Sequence, residues 1–361
     1  MNFIRSMQYR RAVLILTVPT LLVFAFTLHY FLTKPLSQPF ASYVPKTSSR
    51  PEQSASSSTT FNKPYTRTLV VAKSTNDDTS WVDNLVAQDP NLGSAVYTVD
   101  DNTTATLSVP ANKGHEAMVY LTYIIDHYDS LPDVSIFMRA QQNAWYNNDI
   151  LNGDSANVVR HLRSQHVILS GYMNLRCHQE PGCPDYIHPG AETENRNNDN
   201  NNNQETAPLA PAVLRDVWAQ LYPDARLPDV LSQPCCGQFA VSAQRIRTMT
   251  QRRYIELRDW LLATELDDDT AARLWEYTWQ WLFTGHSEYC PSETTCYCDG
   301  YGICFGAEDY RRYYEYRREA LRLEGDMKGL KQAGGAAVAD MAARIQYLHG
   351  RMDEIKERVV T

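Results

Sequence analysis

The chain has 361 residues, longer than one typical domain, and a globular composition of 43% hydrophobic, 21% charged and 11% aromatic residues. Its net charge is -8, from 34 Lys and Arg against 42 Asp and Glu. The basic residues form no long run inside the region that reads as folded, which argues against a nucleic-acid partner.

Residues 1–11 carry Arg5, Arg10 and Arg11, and residues 12–33 contain no Lys, Arg, Asp or Glu. At about 1.5 Å of rise per residue that stretch spans a bilayer core of about 30 Å. Pro19 inside it is tolerable where neighbouring groups satisfy the freed carbonyl. Arginines before the span and only Lys34 close behind it predict a cytosolic N-terminus and a lumenal remainder. The expectation is a single-pass type II protein of the Golgi or endoplasmic reticulum. A cleaved signal peptide is the competing reading, but its apolar core is usually shorter. Residues 34–67 are Ser, Thr and Pro with few large apolar side chains, a composition expected of a disordered stalk.

Residues 68–306 read as a lumenal domain. The apolar runs at 68–72, 95–99 and 134–138 predict strands, alternating with helices that begin near Trp81 and over 114–128. Strand and helix in alternation predict an α/β fold, an open and mostly parallel sheet flanked by helices. In such sheets ligands lie beyond the carboxyl ends of the strands. That edge would hold Asn76, Asp77 and Asp78 after the first strand, Asp100 and Asp101 after the second, and residues 139–143, led by Arg139, after the third. The helix preceded by Asn112 and opened near Glu116 points its N-terminus the same way, where free N–H groups favour an anion. Each of these residues also has an ordinary reading as a turn or cap residue. Asn102-Thr103-Thr104 is a glycosylation sequon.

Val167, Ile168 and Leu169 read as a fourth strand after a helix end near His161. The loop that follows could be closed by a Cys177 to Cys183 bridge. Residues 190–207 are asparagine-rich and predict a disordered insertion. A helix over 212–222 precedes the densest stretch of the chain, residues 234–285. There Cys235, Cys236 and Gly237 lead into a strand at 239–241 and then helices over 254–263 and 270–283. Glu276 lies between Trp275, Tyr277 and Trp279, so its carboxyl should hold its proton more tightly unless a cation pairs with it. The competing reading turns it outward or pairs it with an Arg. Asp267, Asp268 and Asp269 read as a helix cap.

The eight cysteines are Cys177, Cys183, Cys235, Cys236, Cys290, Cys296, Cys298 and Cys304. An even set in a lumenal domain reads as disulfides, and the spacing of the last four, a compact knot, is not that of paired zinc ligands. From Tyr310 the chain turns to Arg, Glu and Tyr, interrupted by Gly325, Gly329, Gly334 and Gly335. Residues 338–359 then repeat Val338, Met341, Ile345, Leu348, Met352, Ile355 and Val359 by threes and fours, a short coiled-coil pattern. This helical tail, 307–361, either makes a homodimer or docks on the domain as an amphipathic helix.

GHEAMVYLTYIIDHYDSLPDVSIFM, GYMNLRCHQEPGCP, PCCGQFAVSAQRI, the WEYTWQWLF run and CYCDGYGICFG occur in that order. Over residues 69–306 they resemble the fungal membrane-anchored proteins carrying the domain of unknown function numbered 3431. More distantly, the Asn-x-Gly-x-Glu helix start at Asn112 and Glu116 and the late Gln-Phe-x-Val-Ser at Gln238 are similar to single-Rossmann (type A) glycosyltransferases. That likeness implies a nucleotide-sugar donor, a glycan acceptor and a divalent metal such as Mn. It implies that Asn76, Asp77 and Asp78 border the nucleotide, that Asn112 and Glu116 border the sugar-phosphate, and that Glu276 is the general base. The chain departs from its relatives at Arg139, Tyr146 and Gln280, near which they often carry His, and it has no clear Asp-x-Asp after a strand. A non-catalytic binding or scaffold protein on the same fold is the alternative. A hydrolase is disfavoured, since no G-x-S-x-G, H-E-x-x-H or P-loop is present.

Overall fold

The structure is a computed structural model, and it describes residues 64–101, 105–184, 186–191, 209–330 and 336–359. The expected membrane span, residues 34–63 of the expected stalk, the sequon at Asn102 and residues 192–207 of the expected insertion lie outside the described residues. The stalk's expected end is corrected by Arg67, which already pairs in the first strand. Among the described residues no helix is long and apolar enough to cross a membrane.

In chain order the sheet-forming part runs β1 (Arg67–Lys73), α1 (Ser80–Gln88), β2 (Leu92–Thr98), α2 (Glu116–Asp126), β3 (Val134–Arg139), α3 (Ser155–His161), α4 (Ser164–Ser170), β4 (Tyr172–Asn174), α5 (Pro211–Leu221), β5 (Phe239–Ser242) and α6 (Ala243–Ile246). It continues with α7 (Gln251–Ala263), α8 (Asp268–Thr284), α9 (Glu293–Thr295) and a π-turn at Cys296–Gly300, and ends in two long helices, α10 (Ala307–Leu330) and α11 (Ala336–Val359).

The strands are ordered β2-β1-β3-β5-β4. β1 pairs in parallel with β2 and with β3, while β5 is antiparallel to both β3 and β4. Four of the five strands therefore run one way, yet half of the pairings are antiparallel. The expected α/β class with flanking helices holds, while the sheet is mixed rather than mostly parallel, because β5 enters between β3 and β4 in the opposite direction. Side chains alternate along a strand, so β1 serves two apolar layers. Val70 joins Phe137, Phe239, Tyr172 and the inner faces of α2, α7 and α8. Leu69 and Val71 join Ile136, Met138, Ala240 and Met173 against α1, α3 and the last two helices. A sheet covered on both faces needs apolar residues at consecutive positions, which is why the runs at 68–72 and 134–138 are legible as strands.

The fourth predicted strand is a correction. Val167, Ile168 and Leu169 lie in α4, and the strand follows at Tyr172–Asn174, entirely buried. A short apolar run fits a buried strand or a helix face equally well, and here Leu169 is left 79% exposed, as one side of a helix allows. Gly171, at φ +81°, ends the helix by donating its N–H to the Val167 carbonyl. A Cβ there would sit 2.5 Å from Arg245 Nε.

The cysteine framework is corrected too. Cys177 pairs with Cys296 and Cys183 with Cys290, so no bridge closes the 177–183 loop. Of the supposed knot only Cys298–Cys304 is internal, and Cys235 bonds its neighbour Cys236. Sequence spacing carries no information about which sulfurs the fold brings within the reach of about 5–6 Å between Cα atoms. The first two bridges have Cα separations of 5.5 and 5.8 Å, and they tie the stretch after β4 to the stretch after α8.

The tail docks on its own domain. α10 runs through Gly325 and Gly329, which do not interrupt it as the sequence suggested, and α11 packs back along it. Leu348, Met352 and Ile355 are buried, the last two in the layer that holds Met138. Arg317 Nη2 of α10 donates to Asp149 Oδ1 at 2.7 Å, and the Tyr314 hydroxyl lies 2.9 Å from His178. Burial, with Arg176 and Arg317 adding to it, pulls His178 down to about 3, so this contact is made by a neutral imidazole.

Candidate functional site

β1 is flanked by β2 on one side and β3 on the other, so the loops leaving β1 and β3 diverge at the carboxyl edge of the sheet. This is the place where open α/β sheets hold ligands. The last residue of β3 there is Arg139 and the first residue of α2 is Glu116. Glu116 is buried at 7% exposure, and its Oε1 accepts from Arg139 Nε at 3.1 Å and Nη2 at 2.9 Å. The chain reaches α2 through Gly114 at φ +68° and His115 at φ +49°. A Cβ on Gly114 would lie 2.8 Å from Leu261 Cδ1, so glycine is what lets the helix start this close to α7.

Glu276 comes to the same cluster from α8. Its Oε1 accepts the N–H of Cys236 at 2.6 Å. The bond between adjacent Cys235 and Cys236 holds that turn with Cys236 at φ +87°, and Gly237 follows at φ +63°. A Cβ on Gly237 would meet Glu116 Oε1 at 3.1 Å, so the Cys-Cys-Gly sequence brings backbone between the two carboxylates. Gln238 completes the frame. Its Oε1 accepts the Arg139 N–H at 3.2 Å, and its Nε2 donates to Asn147 Oδ1 at 2.8 Å. The Tyr146 ring centroid lies 5.4 Å from the Arg139 guanidinium carbon, and Tyr146 packs with the cystine pair and Ala144. The Tyr120 hydroxyl is buried nearby, within electrostatic reach of Glu116 and Arg139, with no hydrogen-bond partner among the described residues.

Arg139 is bonded to Glu116 and acts on Glu276 through its charge. Burial is the main reason that Glu276 holds its proton more tightly than an ordinary glutamate, and the Glu116 charge adds to it. Arg139 and the Cys236 N–H pull the other way without cancelling the effect. Arg139 is held well above its usual range, first by Glu116 and then, against burial, by Glu276. Glu276 thus retains its proton as the sequence reading expected, with Arg139 opposing that through its charge.

Of the residues expected at this edge, Glu116, Arg139, Gln238 and Glu276 come together. The others are engaged in their own loops. Asp77 Oδ2 accepts the Ser74 N–H at 2.8 Å, and Asp78 Oδ1 accepts that of Ser80 at 2.9 Å. Asp100 Oδ1 accepts both the N–H and the hydroxyl of Thr75, each at 2.8 Å, tying the loop after β1 to the end of β2. These bonds hold Asp78 and Asp100 below the usual carboxylate range. Asn76 and Asn112 are exposed. Asp267 caps α8, accepting from Thr270 N–H at 2.9 Å. Asp268 and Asp269 do more than cap, since they accept from Gly114 N–H at 3.2 Å and contact His115 Nε2 at 3.0 Å, pinning the entry to α2.

Sequence reasoning missed the adjacent-cysteine turn and Tyr146 as parts of this cluster. The signal was the Cys-Cys-Gly triplet itself, because two neighbouring cysteines that bond each other force an unusual turn. One group of side chains among the described residues has the spacing of a metal site, and it is not one. The sulfurs of Cys235 and Cys236 and a Glu276 oxygen lie within 4.8 Å of one another, the one such group found among the described residues. Both sulfurs are consumed in their own bond, which leaves a single carboxylate, and Mn prefers several oxygen ligands.

The family described as "Protein of unknown function (DUF3431)" matches residues 69–299. Comparison with the curated proteins and with the solved structures finds no match.

Proposed function

We propose that this chain, which belongs to the DUF3431 family, is a glycosyltransferase that moves a sugar from a nucleoside-diphosphate donor to an acceptor hydroxyl. The observation that carries the reading is Glu276, a carboxylate of raised proton affinity beside Arg139 and Glu116 at the ligand edge of the sheet. A base works best when its pKa approaches the working pH, and burial moves glutamate in that direction. In the step, the acceptor O–H gives its proton to Glu276 as its oxygen bonds the anomeric carbon. The anomeric carbon–oxygen bond to the diphosphate breaks, and the electron pair leaves with the diphosphate. Arg139 at the end of β3 and Lys73 at the end of β1 are the cations this reading assigns to that developing charge. The Cys236 N–H fixes the Glu276 carboxylate in one orientation.

The same reading makes the chain a single-pass type II membrane protein of the Golgi or endoplasmic reticulum, anchored by residues 12–33. Four disulfides and no free cysteine among the described residues support an oxidising compartment.

Glu276→Gln keeps an oxygen to accept the Cys236 N–H, so it is expected to leave the fold intact and to lower turnover by about 10²–10⁴-fold. Transfer assays with UDP- and GDP-sugars, with and without Mn²⁺, check this beside thermal melts in the same donors. Equal turnover of the variant would remove Glu276 from the mechanism. A donor that raises the melting temperature without any transfer would instead favour a non-catalytic binding protein, a reading that the engagement of Asp77, Asp78 and Asp100 in their own loops supports.

A further inference from the structure

A second concave surface lies beside this cluster. The loop that leaves β3 and the tail helices α10 and α11 enclose a cleft of about 570 Å³, lined by Asn143, Trp145, Asn152, Arg317, Leu321 and Lys356 among others. The volume suits a small ligand or a few linked sugar rings. Trp145 is 60% exposed although Arg176 lies over its ring at 5.3 Å, and Leu321 across the cleft is 49% exposed. Large apolar side chains left in solvent inside a concavity mark a contact surface. The charges around them are already matched. Arg317 is bonded to Asp149, His349 Nε2 lies 3.2 Å from Glu324, and Lys356 Nζ lies 3.4 Å from Asp353 Oδ1 while donating to Asn152 Oδ1 at 2.9 Å. A phosphate or sulfate would find no unmatched cation among these. An aromatic plane flanked by amides with little net charge is the chemistry that takes the apolar face of a sugar ring and its hydroxyls.

The cleft also neighbours the candidate site. Trp145 packs against Tyr146 at 5.8 Å between centroids, and Tyr146 lies 5.4 Å from Arg139. An acceptor held on Trp145 would thus lie on the same loop that covers Arg139. We propose that this cleft binds a neutral oligosaccharide, the acceptor of the transfer proposed above, with Trp145 as its stacking platform. The acceptor role rests on that reading, whereas the binding does not.

The test uses the full-length protein on an array of neutral, sulfated and sialylated oligosaccharides, followed by calorimetry with the best-retained glycan. The expected result is retention of a neutral oligosaccharide and a loss of about tenfold or more in affinity for Trp145→Ala, with Trp145→Phe retaining most of it. Trp145 is exposed, so the variant is expected to melt like the parent. No retained glycan, retention of acidic glycans alone, or equal affinity in Trp145→Ala would overturn the proposal. Donor-induced melting shifts read the transfer hypothesis separately. If they fail while Trp145-dependent glycan binding stands, the cleft survives and the transfer does not.

Discussion

Replacing Arg139 by Met is expected to destabilise the domain by about 2–4 kcal/mol near neutral pH, or roughly 5–15 °C in melting temperature. The guanidinium is the direct partner of Glu116, whose side chain is 9% exposed, and the main opposing charge felt by Glu276. Removing one partner of a buried pair leaves the other charge unmatched, at a cost of about 3–5 kcal/mol when both are buried. The Arg139 side chain is 34% exposed, so water softens the loss. The sign of the pH dependence follows from Glu276. Its folded-state pKa is already above the unfolded value, so its stabilising protonated form is fully present below the unfolded pKa and is lost as pH rises through the folded one. Without Arg139 that pKa rises further, and the penalty grows from about pH 5 toward pH 8. Urea unfolding of both proteins at the two pH values measures this. An equal penalty at both would mean that the carboxylates are not what Arg139 compensates.

The two long bridges are expected to be strongly non-additive. Cys177–Cys296 and Cys183–Cys290 have sequence separations of 119 and 107, and they are nested with their ends six positions apart on each side. Removing either alone as a Cys→Ala pair releases only the short loop between the bridges, worth about 3 kcal/mol by loop closure. Removing both also releases the long loop, about 5 kcal/mol more. The four-cysteine variant should therefore lose about 8 kcal/mol, against about 6 for the sum of the two pairs. Denaturant unfolding of the cycle reads the difference, and strict additivity would show that chain entropy is not what the bridges restrict.

Why some of this was legible and some was not follows from the physics of each element. β1, β3 and α2 are buried along most of their length, so their apolar runs stand out. β4 has three residues and gains its place only by pairing with β5, which arrives some sixty residues later, so no local pattern marks it. Glu276 was visible because a carboxylate among tryptophans is an anomaly wherever the helix turns. Glu116 and Arg139 were legible only from their place at the carboxyl edge, and their bond to each other and the Cys236 N–H on Glu276 were not, because these groups come from three distant segments. The acidic loop residues Asp77, Asp78 and Asp100 show the reverse. Their position at the carboxyl edge suggested ligands, but each side chain had a backbone N–H within three residues or in the adjacent loop, and that local bond is what the fold uses. The tail pattern was periodic enough to reveal an apolar face but silent on what covers it. Met352 and Ile355 meet the second layer of this chain's own core.

The nested bridges have a consequence for what happens when the backbone is broken. Every peptide bond from residue 183 to residue 290 lies inside both covalent loops, including the asparagine-rich stretch near residue 200. A protease that clips there cannot release either half. The two pieces travel as one particle, β5 stays seated between β3 and β4, and the severed chain comes apart only where thiols are available to undo the sulfur links.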